Sequence, residues 1–446
     1  MKNLVKVIIA AVVFTSCATN EANWKPKAQN PEYLHRTLKQ ITDVIVHDIF
    51  SPPVAARIYA YSSIAAYETA INQDSKYKSL AGQLTGLKDF PKPEDGKEYC
   101  FPLASVQAAF KVGRTLVFSE DKMDAYYAKL MKEYKDVEIP DEIFERSIEY
   151  GNRIADHVIE WSSTDNYKQS RSFPKYSIQD DPATWKPTPP AYIDAVEPHW
   201  NKIRPFAIDS AQQFKPAPPT PFSTDKKSQF YKEAMEVYDI GKNMTPEQRD
   251  ITFFWDCNPF MMNVKGHVMF ATKKISPGGH WMNITHQVCS SVNADIVQSA
   301  EAYARVSIAL SDAFISCWDE KYRSNLIRPE TYINQYIDEE WVPTLQTPPF
   351  PEYTSGHSVI SAASAVTLTN LFGDGFAFTD STELEFGLTA RSFKSFYQAS
   401  EEAAISRMYG GIHYRPACEV GVKEGKAIGN FILDRIKTRK ELLANH

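Results

Sequence analysis

Residues 294–321 read ADIVQSAEAYARVSIALSDAFISCWDEK. The stretch is rich in Ala and free of Gly and Pro. Ala is the strongest helix former, and no ordinary strand runs this long. The spacing predicts one long helix, and the segments around it follow the same pattern. Downstream, Ser358 to Leu371 and Val420 to Ile436 read as two more helices. Upstream, Met123, Tyr126, Tyr127, Leu130, Met131 and Tyr134 recur at intervals of three and four, as do Val106, Phe110, Gly113 and Val117. Pro140-Asp141-Glu142 opens a helix running to about Trp161, with acids in its first turn. Thr245-Pro246-Glu247-Gln248 has the form of a capping box with Pro at the first helical position. Alternating strands are scarce. The expected fold is all-α, two packed helical bundles.

One segment breaks the pattern. Residues 172–222 hold 11 of the 28 prolines, in runs such as Pro187-Thr188-Pro189-Pro190 and Pro216-Ala217-Pro218-Pro219. A plain linker has this composition. Trp185, Tyr192, Trp200 and Phe206 argue instead for an extended strap packed over the helices. The chain thus divides into a helical region at 24–171, the strap at 172–222 and a second helical region at 223–446.

Over the full 446 residues, 43% hydrophobic and 23% charged residues with a net charge of -6 describe a globular protein. That balance speaks against non-specific nucleic-acid binding. Residues 1–17 read as a targeting segment: Lys2 and Lys6 precede an apolar run from Val7 to Phe14, then Thr15, Ser16 and Cys17. The Phe-Thr-Ser-Cys ending resembles a bacterial lipobox, in which Cys17 is lipidated after export to the outer membrane, cell surface or periplasm. The blander alternative is a plain signal peptide. Beyond it lie Cys100, Cys257, Cys289, Cys317 and Cys418, an odd number at wide spacings, from which no disulfide framework or zinc pattern can be read.

Three short motifs carry chemistry. Lys321 and Arg328 stand seven residues apart, about two helical turns, so a continuous helix would project them from one face. Pro329 pushes Arg328 to the helix end or just past it. Thr354-Ser355-Gly356-His357 opens the next helix. Ser355 can cap it, its free N–H groups point at the positive dipole end, and Gly356 permits close approach to the backbone. Ser406-Arg407 and His413 flank Gly410-Gly411, a helix break that lets both turn toward one point. Each motif alone is an ordinary cap or a solvated cation. Together they supply three cations, neutral donors and two histidines, a set suited to a tetrahedral oxyanion such as phosphate or vanadate.

With these motifs in this order, the sequence resembles the family of vanadium-dependent haloperoxidases and type 2 phosphatidic-acid phosphatases. Trp318, Phe350-Pro351-x-Tyr353, Pro277-Gly278-Gly279-His280-Trp281, the strap and Pro52-Pro53-Val54-Ala55 resemble the bacterial haloperoxidase branch. Membrane lipid phosphatases carry several spans, and no apolar run here reaches that length.

The resemblance implies vanadate as cofactor, with phosphate able to occupy the same site. It implies His413 as the residue bonding vanadium. Lys321, Arg328 and Arg407 would neutralise the oxygens, with Ser355 and the Gly356 N–H adding hydrogen bonds. His357 would act as the acid–base group and Lys321 would polarise peroxide. Trp318 and Phe350 would line the halide side, their plain alternative being core packing. The substrates would be hydrogen peroxide and a halide, iodide being the easiest to oxidise and bromide the next to consider. Two other readings share the pocket: an acid phosphatase in which His413 attacks phosphorus and His357 protonates the leaving group, and a non-catalytic surface lipoprotein binding an oxyanion or glycan.

One position departs from the family pattern. An Asp four residues after the ligand histidine commonly orients it, and Ala417 stands there. Glu419 or a backbone carbonyl is the expected substitute.

Overall fold

The Ala-rich stretch forms a helix over Ile296–Ser324 in the computed structural model, which describes residues 23–440. The Cys17 expectation lies outside the described residues. Asp295 starts this helix with a capping box: its side chain accepts from Gln298 N–H at 2.9 Å while Gln298 Oε1 accepts from Asp295 N–H at 3.0 Å. Nearly every residue from Ile296 to Lys321 is buried, so the helix is the central post of the molecule.

Helices surround it on two sides. The N-terminal bundle comprises Glu32–His47, Pro52–Ala70, Phe101–Leu116, Glu120–Lys135 and Asp141–Ser162. The C-terminal bundle comprises Pro277–Ser291, Ile296–Ser324, Gly356–Phe372, Phe396–Tyr409 and Arg415–Arg435. Pro52–Ala70 packs directly on Ile296–Ser324 and joins the two bundles. One apolar cluster accordingly runs from Leu34 through Ile308 to Ile432. Two short antiparallel hairpins, Met262–Lys265 with Val268–Ala271 and Phe378–Asp380 with Arg391–Phe393, are the only sheets among the described residues.

Close helix packing sets the position of the second motif. A Cβ on Gly425 would lie 2.1 Å from the carbonyl oxygen of Val359, a contact no side chain tolerates. The helix Arg415–Arg435 therefore rests backbone-to-backbone on Gly356–Phe372. The helix break expected at Gly410-Gly411 is present: Phe396–Tyr409 ends at Gly410, and Arg415–Arg435 begins after a turn, five residues ahead of the expected start at Val420. Gly411 has a φ of 79° in that turn, which presents His413.

The segment 172–222 runs along the C-terminal bundle. Thr184 bridges Leu326, Trp185 N–H donates to Asn325 O at 2.9 Å, and Val196 N–H donates to Pro349 O at 3.0 Å. The buried Asp312 carboxylate accepts three successive strap N–H groups, those of Phe206, Ala207 and Ile208, at 2.7, 2.7 and 2.9 Å. Trp185, Trp200 and Phe206 are buried, while Tyr192 points to solvent. Among the described residues, no helix is long and apolar enough to cross a membrane, and the five cysteines are free and buried.

Candidate active site

The three motifs meet at the ends of helices. Lys321 sits in the last turn of Ile296–Ser324, which stops at Asn325 in the left-handed conformation with φ 47°. Helix does not continue to Arg328, as a one-face reading of Lys321 and Arg328 requires. Pro329 holds Arg328 extended, at φ -78° and ψ 152°, as the residue preceding the short helix Pro329–Tyr336. The chain reversal brings Arg328 back under the site from another direction.

Arg328 is fully buried. Its Nε donates to Phe350 O at 2.9 Å and its Nη1 to Ile412 O at 2.7 Å. Nη1 also lies 3.2 Å from His413 Nε2, and Nη2 has no partner. Burial pushes its guanidinium down to about 10. Arg407, in the last turn of Phe396–Tyr409, donates from Nη1 to Trp255 O at 2.8 Å and leaves Nε unpartnered. Burial lowers it as well.

The residue that orients His413 is Glu352. Its Oε1 lies 2.9 Å from His413 Nδ1 and accepts from Tyr414 N–H at 2.9 Å. This corrects the expectation of Glu419 or a carbonyl: Glu419 lies 3.7 Å from Arg415 on the outer side of its helix. The carboxylate comes from the segment before the second motif, not from the helix after the third, so Ala417 leaves no gap. Burial raises Glu352 to about 7 against the pull of Arg328 and Lys321. His413 is held well below its ordinary value by burial and by Arg328, Lys321 and Arg407. With Glu352 ionised, Nδ1–H donates to it, and the Nε2 lone pair faces the site, where Arg328 Nη1 approaches it at 3.2 Å.

Ser355 caps the helix Gly356–Phe372, its Oγ accepting from Ser358 N–H at 3.4 Å. A Cβ on Gly356 would meet the Trp318 ring at 3.5 Å, an ordinary contact. The protein around Gly356 therefore does not forbid a side chain, and the space beside it lies within the cavity. His357 lines that cavity, with Nε2 unpartnered. Burial and the Arg407 charge keep its imidazole well below the usual range, hence neutral.

Lys321 is placed differently from the expectation of a direct donor. Its ammonium gives hydrogen bonds to Pro351 O at 3.1 Å, Glu352 O at 3.0 Å and Thr354 O at 2.5 Å. All three N–H donors are engaged, and the side chain stands behind the cavity wall. Its contribution there is a positive charge and a fixed 351–354 loop. Burial pushes it down to about 8.

A small cavity of about 30 Å³ lies over these groups, lined by Gly356, His357, Arg407 and His413. Trp318 and Phe350 form its aromatic wall, with ring centres 4.9 Å apart. The indole N–H of Trp318 points away, to Val196 O of the strap at 3.3 Å. The roof is Cys257, Asn258, Pro259 and Phe260, together with Pro52. Sequence reasoning missed the roof because no motif marks it; the Cys-Asn-Pro turn after an Asp was the available signal. His280, given no role from sequence, is fully buried with Nε2 2.6 Å from Asp380 Oδ2.

Lys321, Arg328 and Arg407 are buried with the Glu352, Glu424 and Asp256 carboxylates nearby, yet Arg328 Nη2, Arg407 Nε and His357 Nε2 lack partners among the described residues. Buried unpaired charge is costly unless an anion completes it. The donor set therefore fits a bound tetrahedral oxyanion. A helix N-terminus, two guanidinium groups and an imidazole nitrogen would also suit vanadate.

Fold and site define a class: an all-helical enzyme with a buried oxyanion centre. A family model described as the VCPO second helical-bundle domain matches residues 301–441. The crystal structure of the first bacterial vanadium-dependent iodoperoxidase is 50% identical, with a TM-score of 0.88, over 92% of this chain and 98% of that one. The holo-type bacterial vanadium-dependent chloroperoxidase shares the fold at 15% identity and a TM-score of 0.67, over 87% and 93% of the two chains. Its apo-type form does so at 14% and 0.64, over 86% and 94%. No curated protein matches significantly. The chain belongs to the vanadium-dependent haloperoxidases.

Proposed function

We propose that the protein is a vanadate-dependent haloperoxidase that oxidises iodide: H2O2 + I⁻ + H⁺ → HOI + H2O. The observation that carries this reading is the convergence of three buried cations with an imidazole whose other nitrogen is tied to a carboxylate. The likeness to an iodoperoxidase over nearly the whole chain favours iodide among the halides. Bound vanadate would supply a Lewis-acid centre that activates peroxide without changing oxidation state.

The chain's own residues do the rest. Arg328 and Arg407 hold the anion with the N–H groups left unpaired, and Lys321 adds charge from behind. His413 offers Nε2, fixed by Glu352. Ser355 and the Gly356 N–H add neutral donors at the start of the helix. His357 is neutral and faces the cavity, so it accepts a proton from incoming peroxide. Binding of an anion offsets the Arg407 field, raises the His357 value and makes the imidazolium a competent donor for the water that leaves. Trp318 and Phe350 would give the halide an apolar aromatic wall, since the indole N–H is committed to the strap.

Peroxide-dependent iodide oxidation and phosphate-ester hydrolysis, followed side by side with and without vanadate, test the proposal. Iodide oxidation that requires vanadate supports it. Hydrolysis that vanadate inhibits, with no iodide oxidation, would instead favour a phosphatase. Iodide and peroxide are the proposed partners, and the membrane is approached only through lipid on Cys17, after export. That part rests on the lipobox-like segment of the sequence. Replacing Cys17 with Ser should release the protein from membranes; unmodified full-length protein in the cytoplasm would count against it.

A further inference from the structure

We propose that Cys257, His280 and Glu383 form a site for one divalent transition-metal ion of the zinc type, separate from the oxyanion centre. The three groups come from distant segments. Cys257 follows the helix Pro246–Phe254, His280 stands in Pro277–Ser291, and Glu383 lies in the turn Thr382–Phe386. All are buried, and their ligating atoms converge. Cys257 Sγ is 3.3 Å from His280 Nδ1, His280 Nδ1 is 3.1 Å from Glu383 Oε1, and Sγ to Oε1 is 3.9 Å. A tetrahedral ion with bonds of about 2.0–2.3 Å to N, O and S spaces its ligands about 3.3–3.7 Å apart. The triangle therefore has the size of one face of such a tetrahedron.

The surroundings follow the pattern of a metal-bound histidine. His280 Nε2 lies 2.6 Å from Asp380 Oδ2, and Asp380 Oδ1 is itself held by Thr382 N–H at 2.9 Å. This carboxylate fixes the tautomer with the proton on Nε2 and directs the Nδ1 lone pair at the sulfur and the second carboxylate. Trp255 stacks on the ring, with centres 4.6 Å apart, and locks its plane. A thiol and two carboxylates around one imidazole is an excess of acid groups in a dry site. Without a metal the thiol proton points at Glu383 over a long 3.9 Å, and Nδ1 meets both Sγ and Oε1, whereas one cation would bind all three groups. One S, one N and one O donor suits zinc over calcium or magnesium, which take oxygen ligands. Three protein ligands leave a fourth position for water. Because Cys257 also lines the cavity roof, the ion would pin that roof to the C-terminal bundle.

The test uses the full chain, stripped with a chelator and kept free of vanadate, so its outcome is independent of the haloperoxidase reading. Zinc ion alone should bind at one equivalent and raise the melting temperature. Cobalt(II) should give tetrahedral visible bands and a near-ultraviolet sulfur-to-cobalt band. Cys257→Ser should abolish the sulfur band and weaken zinc at least about 100-fold. Asp380→Asn should keep the band but weaken binding about 10–100-fold. Should Cys257→Ser fail to fold, Glu383→Gln serves, with loss of tight zinc binding and an altered cobalt spectrum. Absence of stoichiometric zinc, a cobalt spectrum without the sulfur band, or wild-type binding in the variants would overturn the proposal.

Discussion

Replacing Glu352 with Gln separates two things that this carboxylate does. It orients His413 through the 2.9 Å contact to Nδ1, and it makes the opposite nitrogen a stronger donor. Gln keeps the shape, and its carbonyl oxygen can still accept from Nδ1–H and from Tyr414 N–H. The negative charge is lost. A hydrogen bond to a charged acceptor is worth about 1.5–3 kcal/mol, and a neutral one about 0.5–1.5 kcal/mol. The difference, roughly 1–2 kcal/mol, corresponds to about 5- to 30-fold in the strength of the bond that His413 makes. The same substitution leaves Arg328 and Lys321 without their nearest buried counter-charge, so the pocket becomes more positive. Two ligands read these effects apart. Vanadate, which uses the imidazole nitrogen, should bind about 5- to 30-fold more weakly. Phosphate, held by charge and hydrogen bonds alone, should bind as well as before or better. Calorimetric titration of both anions into wild type and Glu352→Gln gives the ratio. Equal losses for the two anions, or no loss for vanadate, would refute the role given to Glu352.

Gly356→Ala places a methyl group 3.5 Å from Trp318, which the fold accepts, so the melting temperature should hold while anion affinity falls about tenfold or more in titration. His413→Ala should remove the nitrogen ligand, leaving weak vanadate binding and no turnover, whereas His357→Ala should cost affinity little and turnover roughly 10²-fold or more, read from paired titrations and iodide kinetics. Lys321, held down to about 8 by burial, is charged below that value and neutral above it. Anion affinity should therefore weaken as pH rises through about 8; Lys321→Met should bind weakly throughout and lose this dependence, comparison at each pH cancelling the anion's own titration.

Much of this was legible in the chain. A long Ala-rich run without Gly or Pro can only be one buried helix in a fold this size, and three motifs at helix ends announce an anion pocket. The parts that escaped depend on long-range geometry. Helix periodicity aligned Lys321 with Arg328, but Asn325 ends the helix and Arg328 arrives from the next segment. The partner of His413 lies 61 residues upstream at Glu352, so no local spacing could reveal it. Lys321 reads as an anion contact until its three carbonyl partners are seen. The roof at Cys257 to Phe260 and the pairing of His280 with Asp380 join segments that only the tertiary fold brings together.

The central claim is that these residues hold one vanadate on which halide oxidation depends. Apo protein titrated with vanadate, with peroxide-dependent iodide oxidation measured at each step, tests it most directly. The account predicts no activity at the start, a linear rise that breaks at one equivalent, and competition by phosphate. Iodide oxidation that is full without vanadate, or that stays absent at saturation, would contradict it.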